Sequence, residues 1–356
     1  MGLLDMKSQL QLKTDDIKQK FACFNIEKFE IFSSTNLAYR SRAEFRIFHK
    51  DSKIYYAMSD KNKKLFTINN CAIVDKNIAK TMQKLLLKLQ ENEILSKKLF
   101  AVEFLNSTQN DIIVTLIYHK KLDDIWSEKA KEIENILHIK LIGRSKKQKI
   151  VVSTDIITNI IKINDTKYLY EYKDTTFVQP NHEINQKMIN FINQHIKTGG
   201  DMCELYCGAG NFTIPLSAKF DKLLATEINK TSIKLSKQNA KINKIENIKF
   251  ARLSSSEFAQ AKNKLREFRR LKELDIDLLE YNFSTILVDP PRAGLDEQTL
   301  FLLKEFEQIV YISCNPDTLK ENLKTILKTH KIKKFAFFDQ FVWTKHIEII
   351  VILESI

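Results

Sequence analysis

The chain lacks any run of eighteen or more consecutive apolar residues, so no membrane-spanning helix is expected. The first ten residues, Met1 to Leu10, have neither the long apolar core nor the small-residue cleavage site of a secretory signal, and a cytoplasmic location is expected. Cysteine is scarce and odd in number: Cys23, Cys71, Cys203, Cys207 and Cys314. Without paired spacing these five exclude a disulfide framework. Cys203 and Cys207 are separated by three residues, not two, and on a strand entering a turn they should diverge. No Cys or His cluster has zinc or iron–sulphur spacing, so no metal is expected. Internal repeats and low-complexity segments are also absent. Acidic residues are outnumbered, 44 against 57 basic ones, for a net charge of +13. That excess suits a polyanionic partner. AT-biased genomes produce the same Lys-, Asn- and Ile-rich composition without one, so the placement of the charges has to decide.

What is present is an ordinary globular composition, 44% hydrophobic and 28% charged, over 356 residues, enough for about two domains. Residues 1–30 read as a charged, mostly helical start. Residues 43–48 and 53–58 alternate about Lys50-Asp51-Ser52, which predicts a hairpin, with 65–68 as a third strand. A helix over 77–90, strands near 99–105 and 112–118, a helix near 123–137 and short strands at 139–142 and 148–153 follow. This irregular mixture predicts an α+β domain over residues 1–175. From residue 176 strands and helices alternate, which predicts a parallel doubly wound sheet over 176–356. Its last two strands, 332–339 and 346–353, have no helix between them and predict a terminal hairpin at the sheet edge. The long link 254–282 holds Arg266, Arg269, Arg270 and Lys272 and reads as a basic insertion.

The segment DMCELYCGAGNF, 201–212, is a strand entering a glycine turn. Gly208 and Gly210 allow a tight bend and close approach of a ligand. A dinucleotide fold wants a third glycine at 213, where Thr213 stands. Glu227 ends the next strand, where a carboxylate can accept hydrogen bonds from two ribose hydroxyls. A glycine turn and an acidic strand end, without the pyrophosphate glycine, favour S-adenosylmethionine over NAD. Asp289-Pro290-Pro291-Arg292 ends a later strand. Asp289 has two candidate roles, holding the cofactor or orienting the target base. Amino-group methyltransferases follow this acid and Pro-Pro with an aromatic residue. Here Arg292 suits a carbonyl, a carboxylate or a phosphate, which points away from amine methylation.

Cys314 closes the apolar strand IVYIS, 309–313, and the last strand opens with His346-Ile347-Glu348. A thiol, a carboxylate and a methyl donor suit a covalent scheme. Carbon 5 of uracil is a poor nucleophile until a thiolate adds to carbon 6; a base must then take the carbon 5 proton so that the thiol can leave. A thiol of ordinary pKa ~8.5 is only a few per cent ionised at neutral pH, so the site must favour the thiolate, and Arg292 is a candidate for that field or for holding a substrate oxygen. Taken singly, a cysteine at a strand end is more often a core residue, Asn315-Pro316 a plain turn, and a strand glutamate solvated. Their coincidence at equivalent strand ends argues for chemistry. His346 has a weaker claim.

These segments resemble the RNA uracil-C5 methyltransferases, and the whole chain resembles the tRNA (uracil-5-)-methyltransferase branch. The matching residues are FVQPN (177–181), ELYCGAGNF (204–212), ATEI (225–228), VDPPRAGLD (288–296), YISCNP (311–316), FDQF (338–341) and HIE (346–348). In the N-terminal half YRSRAEFRIFH (39–49), KLF (98–100), YHKKLDD (118–124) and LIGR (141–144) also match. The resemblance implies a class I S-adenosylmethionine-dependent fold, a Rossmann-like sheet with a C-terminal hairpin, plus an N-terminal RNA-binding domain. It implies Cys314 as nucleophile, Glu348 as base, and Gln179, Tyr206, Asn211, Glu227 and Asp289 around S-adenosyl-L-methionine. It suggests Phe100 as the aromatic filling or supporting the space of a flipped base, and the T-loop uridine of tRNA, position 54, as target. Other T-loop-like RNAs are further candidate partners, and a monomer is expected. Ala209 departs from the branch, which more often has Asn there. Ribosomal-RNA relatives often carry an N-terminal barrel and a four-cysteine iron–sulphur motif; neither is visible here, which selects tRNA.

Arg40, Arg42 and Arg46 bracket or lie on the first hairpin strand with Phe45 and Phe48, a pattern usable for RNA or simply a solvated face. With the resemblance, Arg46 joins Phe100 and Arg292 as expected substrate-binding residues. Residues 143–149 are a second basic candidate. Two rival functions remain: an exocyclic-amine methyltransferase, disfavoured by Arg292 and Cys314, and a non-catalytic RNA-binding or RNA-folding protein, disfavoured as a sole role by the intact Cys314, Glu348 and Asp289.

Overall fold

The computed structural model describes residues 6–60 and 62–356. Its contacts group into two compact units: residues up to 35, 161–169 and 183–356 form one, and residues 36–160 and 170–182 the other. The boundary expected at 175 is therefore replaced by an interleaved division. The reason lies at the N-terminus. The helix Met6–Phe21 buries Ile17 and Phe21 in the core of the first unit, and the strand Phe29–Phe32 pairs in parallel with His330–Phe338. Met1 to Asp5, part of the expected mostly helical start over 1–30, lie outside the described residues, and the end of that start, Phe29 and Glu30, belongs to a strand.

The first unit is built on an eight-stranded sheet. Its order is Phe29–Phe32, His330–Phe338, Glu348–Ser355, Gln308–Ser313, Phe283–Val288, Asp201–Leu205, Lys222–Thr226, Ile248–Ala251. All neighbours are parallel except Glu348–Ser355, which runs antiparallel to both of its partners. Asp201–Leu205 and Gln308–Ser313 are buried at every residue, as parallel strands covered on both faces must be, and this is why they read as short apolar runs. The C-terminal hairpin lies inside the sheet and not at its edge: the last strand inserts between two parallel strands, and Phe29–Phe32 covers the outer one. The local sequence of the hairpin carries no mark of this, because its partner strand lies some 300 residues away in the chain.

The link 254–282 folds as the helices Ser255–Lys262 and Arg269–Lys272 and a short 3-10 turn, Leu278–Glu280. Three of the basic side chains of this insertion are offset locally: Arg269 pairs with Glu273, Arg270 with Glu257 and Lys272 with Glu267, while Arg266 lies over the Phe268 ring.

The second unit has a seven-stranded sheet in the order Leu65–Ile68, Lys53–Ser59, Arg42–Lys50, Leu99–Asn106, Ile112–Tyr118, Lys140–Ser145, Gln148–Val151. The hairpin expected at Lys50 to Lys53 forms, with Asp51 and Ser52 both left-handed as a two-residue turn of matching twist requires. The helices Lys76–Gln90 and Asp124–Leu137 bury Ile78, Met82, Leu85, Leu89, Trp126 and Ala130 in its core. Any side chain at Gly143 would collide with the Trp126 ring, 2.4 Å away. The strands Ile156–Ile163 and Thr166–Lys173, joined by Asn164-Asp165, form a two-stranded sheet that the reading above left unassigned. Two alternating runs about a polar dipeptide were the available signal.

Candidate active site

The strand Asp201–Leu205 leaves the sheet through three left-handed residues, Tyr206 (φ +65°), Gly208 (+55°) and Gly210 (+88°), and enters the short helix Thr213–Leu216. A Cβ at Gly208 would meet nothing within 4 Å, so the turn leaves an open cradle there. At Gly210 it would press to 3.0 Å from the Ile214 side chain, so this glycine serves packing. Glu227, one residue beyond the neighbouring strand, accepts hydrogen bonds from the Gly208 amide at 3.2 Å and the Asn229 amide at 2.7 Å. Asn211 and Asn185 exchange amide hydrogen bonds at 2.8 and 2.9 Å. The Tyr206 hydroxyl donates to Ser255 at 2.6 Å. Tyr206, Asn211 and Glu227 are thus brought to one turn. Ala209, the departure from the branch, is buried, and its carbonyl accepts from Asn239 at 3.1 Å.

One acid of this turn was missed as a site residue. Glu204 is 1% exposed, and neither carboxylate oxygen has a hydrogen-bond partner among the described residues. Burial pushes its pKa up to about 8, and the Asp289 charge adds to the rise. The Thr213 hydroxyl tempers that rise without reaching hydrogen-bonding geometry. Its position two residues before the turn, in a strand otherwise apolar from Met202 to Leu205, was the signal. A group neutral in the fold below about 8, but ionised in the unfolded chain above 4.5, gives its full stabilisation below pH 4.5 and loses it as pH rises toward 8. The loss at pH 7 is on the order of 3 kcal/mol. Glu204→Gln should therefore gain thermal stability relative to the parent at pH 8 and not at pH 5. An equal difference at both pH values would remove this account.

Three strand ends converge at the thiol. Cys314 follows Gln308–Ser313, and Asp289 follows the adjacent Phe283–Val288. Glu348 opens the antiparallel strand on the other side, where Ile349 faces Ser313. A carboxyl therefore flanks the thiol on each side. The half-buried Cys314 thiol is pushed up to about 11, by burial first and then by Glu348 and Asp289; the Arg292 guanidinium opposes them by charge and hydrogen bond. Burial and Asp289 hold Glu348 well above the usual carboxylate range. Burial raises Asp289 to about 7. Proton affinity is raised at all three groups, and among the described residues Arg292 is the cation that opposes this at Cys314 and Glu348. The two acids work against ionisation of the thiol and Arg292 works for it.

Arg292 is positioned by the thiol's own loop. Asn315 caps the helix Pro316–Ile326, and its side-chain amide donates to the Arg292 carbonyl at 2.9 Å; the Thr318 hydroxyl donates to the same oxygen at 3.3 Å. The exposed guanidinium lies 2.9 Å from the His346 ring, so His346 contacts the cation of the cluster.

The loop that ends at Glu348 is anchored by a residue that sequence reasoning did not reach. Lys13 is 8% exposed, pairs with Asp339 at 2.7 Å and donates to the carbonyls of Phe341 and His346 at 3.0 and 3.4 Å. No local pattern signals a partner 326 residues away. Removing one member of a buried pair leaves the other charge uncompensated, at a cost of about 3–5 kcal/mol. Lys13→Met should lose that stability in chemical denaturation, and Lys13→Met with Asp339→Asn should recover most of it; an undiminished loss in the double variant would show that the pairing is not the source.

The remaining expected residues lie in the second unit. Arg46 is exposed with its guanidinium 4.1 Å over the Phe100 ring, and Phe100 meets His119 edge-on at 4.1 Å. Phe45 points inward and Phe48 outward. Arg42 is engaged internally, with Glu103 and the carbonyls of Asp174 and Thr176. Arg144 and Lys149 of the second basic stretch both pair with Asp174. Gln179 is buried in the second unit. Among the described residues no helix is long and apolar enough to cross a membrane, and no group of three or more His, Cys, Asp or Glu side chains is arranged to hold a metal.

A mostly parallel sheet with one antiparallel strand near its C-terminal end, a glycine turn after one strand and an acid after the next define a class I methyltransferase fold. A solved structure described as Pyrococcus abyssi tRNA (uracil-54, C5)-methyltransferase in complex with S-adenosyl-L-homocysteine shares it, with a TM-score of 0.74 at 19% identity over 98% of this chain and 84% of that one. The chain belongs to the tRNA (uracil-5-)-methyltransferase family, whose profile matches residues 5–356. Relatives called tRNA/tmRNA (uracil-C(5))-methyltransferase are 49% identical in Aliarcobacter butzleri (strain RM4018), over 98% of this chain and 94% of that protein, and 46% identical in Acinetobacter baylyi, over 98% and 99%.

Proposed function

We propose that this chain transfers a methyl group from S-adenosyl-L-methionine to carbon 5 of the T-loop uridine, position 54, of tRNA, through a covalent Cys314 adduct. The observation that carries this reading is the thiol flanked by Glu348 and Asp289 beside Arg292. Two observations fit the donor: the open cradle at Gly208 and the buried, unpartnered carboxyl oxygens of Glu204. Glu227 would hold its ribose hydroxyls, and Tyr206, Asn211, Asp289 and Gln179 would complete the site. When bound, the donor supplies an electrophilic methyl group on a sulfonium.

Cys314 gives up its proton to water as its sulphur bonds to carbon 6, Glu348 ionises to water in the same way, and the carbon 5–carbon 6 π pair moves toward the carbon 4 oxygen. Arg292 is the cation available to offset that charge or the thiolate before it. After carbon 5 has taken the methyl group, Glu348 as carboxylate removes the carbon 5 proton. The released pair re-forms the double bond and expels the thiolate. Burial and Asp289 hold the Glu348 pKa high, which makes its ionised form a strong base, suited to a carbon acid. Phe100, with Arg46 against its face, is assigned to the space vacated by the extruded base, whose unstacking costs a few kcal/mol. The relatives' names support tRNA as substrate and leave room for other T-loop-like RNA; a monomer acting in the cytoplasm follows from the same reading. Methylation of a tRNA transcript should yield 5-methyluridine at 54. A transcript with cytidine at 54 that accepts as many methyl groups would reject the target.

A further inference from the structure

One helix of the catalytic unit carries charge that the proposed chemistry does not use. Lys230–Ile242 buries Ile233, Leu235, Ser236, Asn239 and Ala240 against the sheet. Its outer face presents Lys230, Lys234, Lys237 and Lys241, all exposed, at spacings of four, three and four residues. At 100° per residue these four fall within about 60° of arc. Lys244, exposed just beyond the helix, continues the row and lines a groove with Lys237, Lys241 and Lys249, in which Glu246 is the one acid. The helix itself contains no Asp or Glu.

This arrangement opposes folding. Like charges three and four residues apart repel, and Lys230 sits in the first turn, where the helix dipole disfavours a cation. Other lysines of this chain are offset within their helices, Lys187 by Glu183, Lys129 by Glu132 and Lys324 by Glu321. The five of this row have no carboxylate at ion-pairing distance among the described residues. A row ~20 Å long matches several successive phosphates of a nucleic acid strand, and binding would relieve its self-repulsion.

We infer that the row Lys230, Lys234, Lys237, Lys241 and Lys244 binds phosphates of the RNA substrate outside the stem-loop that enters the active site. The inference rests on the proposed RNA substrate. The helix follows Lys222–Thr226, three strands from the Cys314 strand, which sets it ~14 Å to the side at ordinary strand spacing, and it runs away from the Glu227 end of the sheet. Phosphates along it therefore lie well away from the reacting base. The contact is electrostatic, so it contributes affinity and register rather than sequence choice.

The test is filter binding at several salt concentrations, with full-length tRNA transcript and with the isolated T-arm stem-loop. K234Q/K237Q/K241Q/K244Q should bind full-length tRNA ten- to a hundred-fold more weakly, with a salt slope shallower by about 3. Its affinity for the stem-loop, and its kcat on that RNA, should stay within two-fold of the parent. The four-fold Lys→Arg variant should bind as the parent does. Thermal unfolding of the Gln variant should be unchanged or higher, since repulsion has been removed, so weaker binding would not reflect unfolding. An unchanged slope on full-length tRNA, or an equal loss on the stem-loop, would overturn the assignment. Parent protein that forms 5-methyluridine while the Gln variant keeps its slope would sink the lysine row alone. Parent protein with a row-dependent slope but no 5-methyluridine would sink the proposed function and leave the row standing.

Discussion

Cys314→Ala should abolish methylation, with turnover down at least about ten-thousand-fold, because no other group can supply the bond to carbon 6. Loss of activity alone would not separate a nucleophile from a packing residue. T-arm RNA carrying 5-fluorouridine does. Fluorine cannot leave carbon 5 as a cation, so the covalent complex stalls after methyl transfer. The parent should show a protein–RNA band on a denaturing gel with the methyl donor present, and the alanine variant none. Active parent protein that never forms that band would refute the covalent scheme. The variant should fold, since Cys314 is only half-buried and lies outside the principal core of its unit.

Glu348→Gln should fail at the opposite end of the reaction. The amide keeps the size of the side chain but cannot accept the carbon 5 proton. Methyl transfer proceeds once and the thioether persists, so ordinary uridine should give a trapped adduct in this variant where the parent gives none. A turnover loss of roughly 100- to 10,000-fold is expected for a missing proton-transfer group. Full turnover would reject the assignment. The substitution also replaces a carboxyl whose ionised form burial and Asp289 disfavour. The fold should therefore lose nothing near neutral pH, and the defect can be read as chemical.

Legibility followed distance along the chain. The hairpin about Asp51-Ser52, the glycine turn and the cysteine strand are local patterns, and they form where their residues predict. The strand Phe29–Phe32, the interior position of the C-terminal hairpin and the anchoring of the Glu348 loop by Lys13 depend on partners some 300 residues away, and no period or cap announces them. The domain boundary was misplaced for the same reason. Ion pairing was equally hidden. Arg266, Arg269, Arg270 and Lys272 resemble a free basic patch in sequence, yet the last three are offset by nearby acids. The lysines at 230 to 244 look no different in composition and are not offset.

The sequence by itself determined the family and singled out Cys314, Asp289, Arg292 and Glu348 as candidates, because each sits in a short motif. Only the tertiary structure decided that the two acids flank the thiol, and that Glu204 is buried without a partner beside the turn. It also decided that burial and neighbouring carboxyls raise the proton affinity of the thiol and of Glu348. A motif is local, whereas a proton's affinity is set by burial and by charges that arrive on other strands.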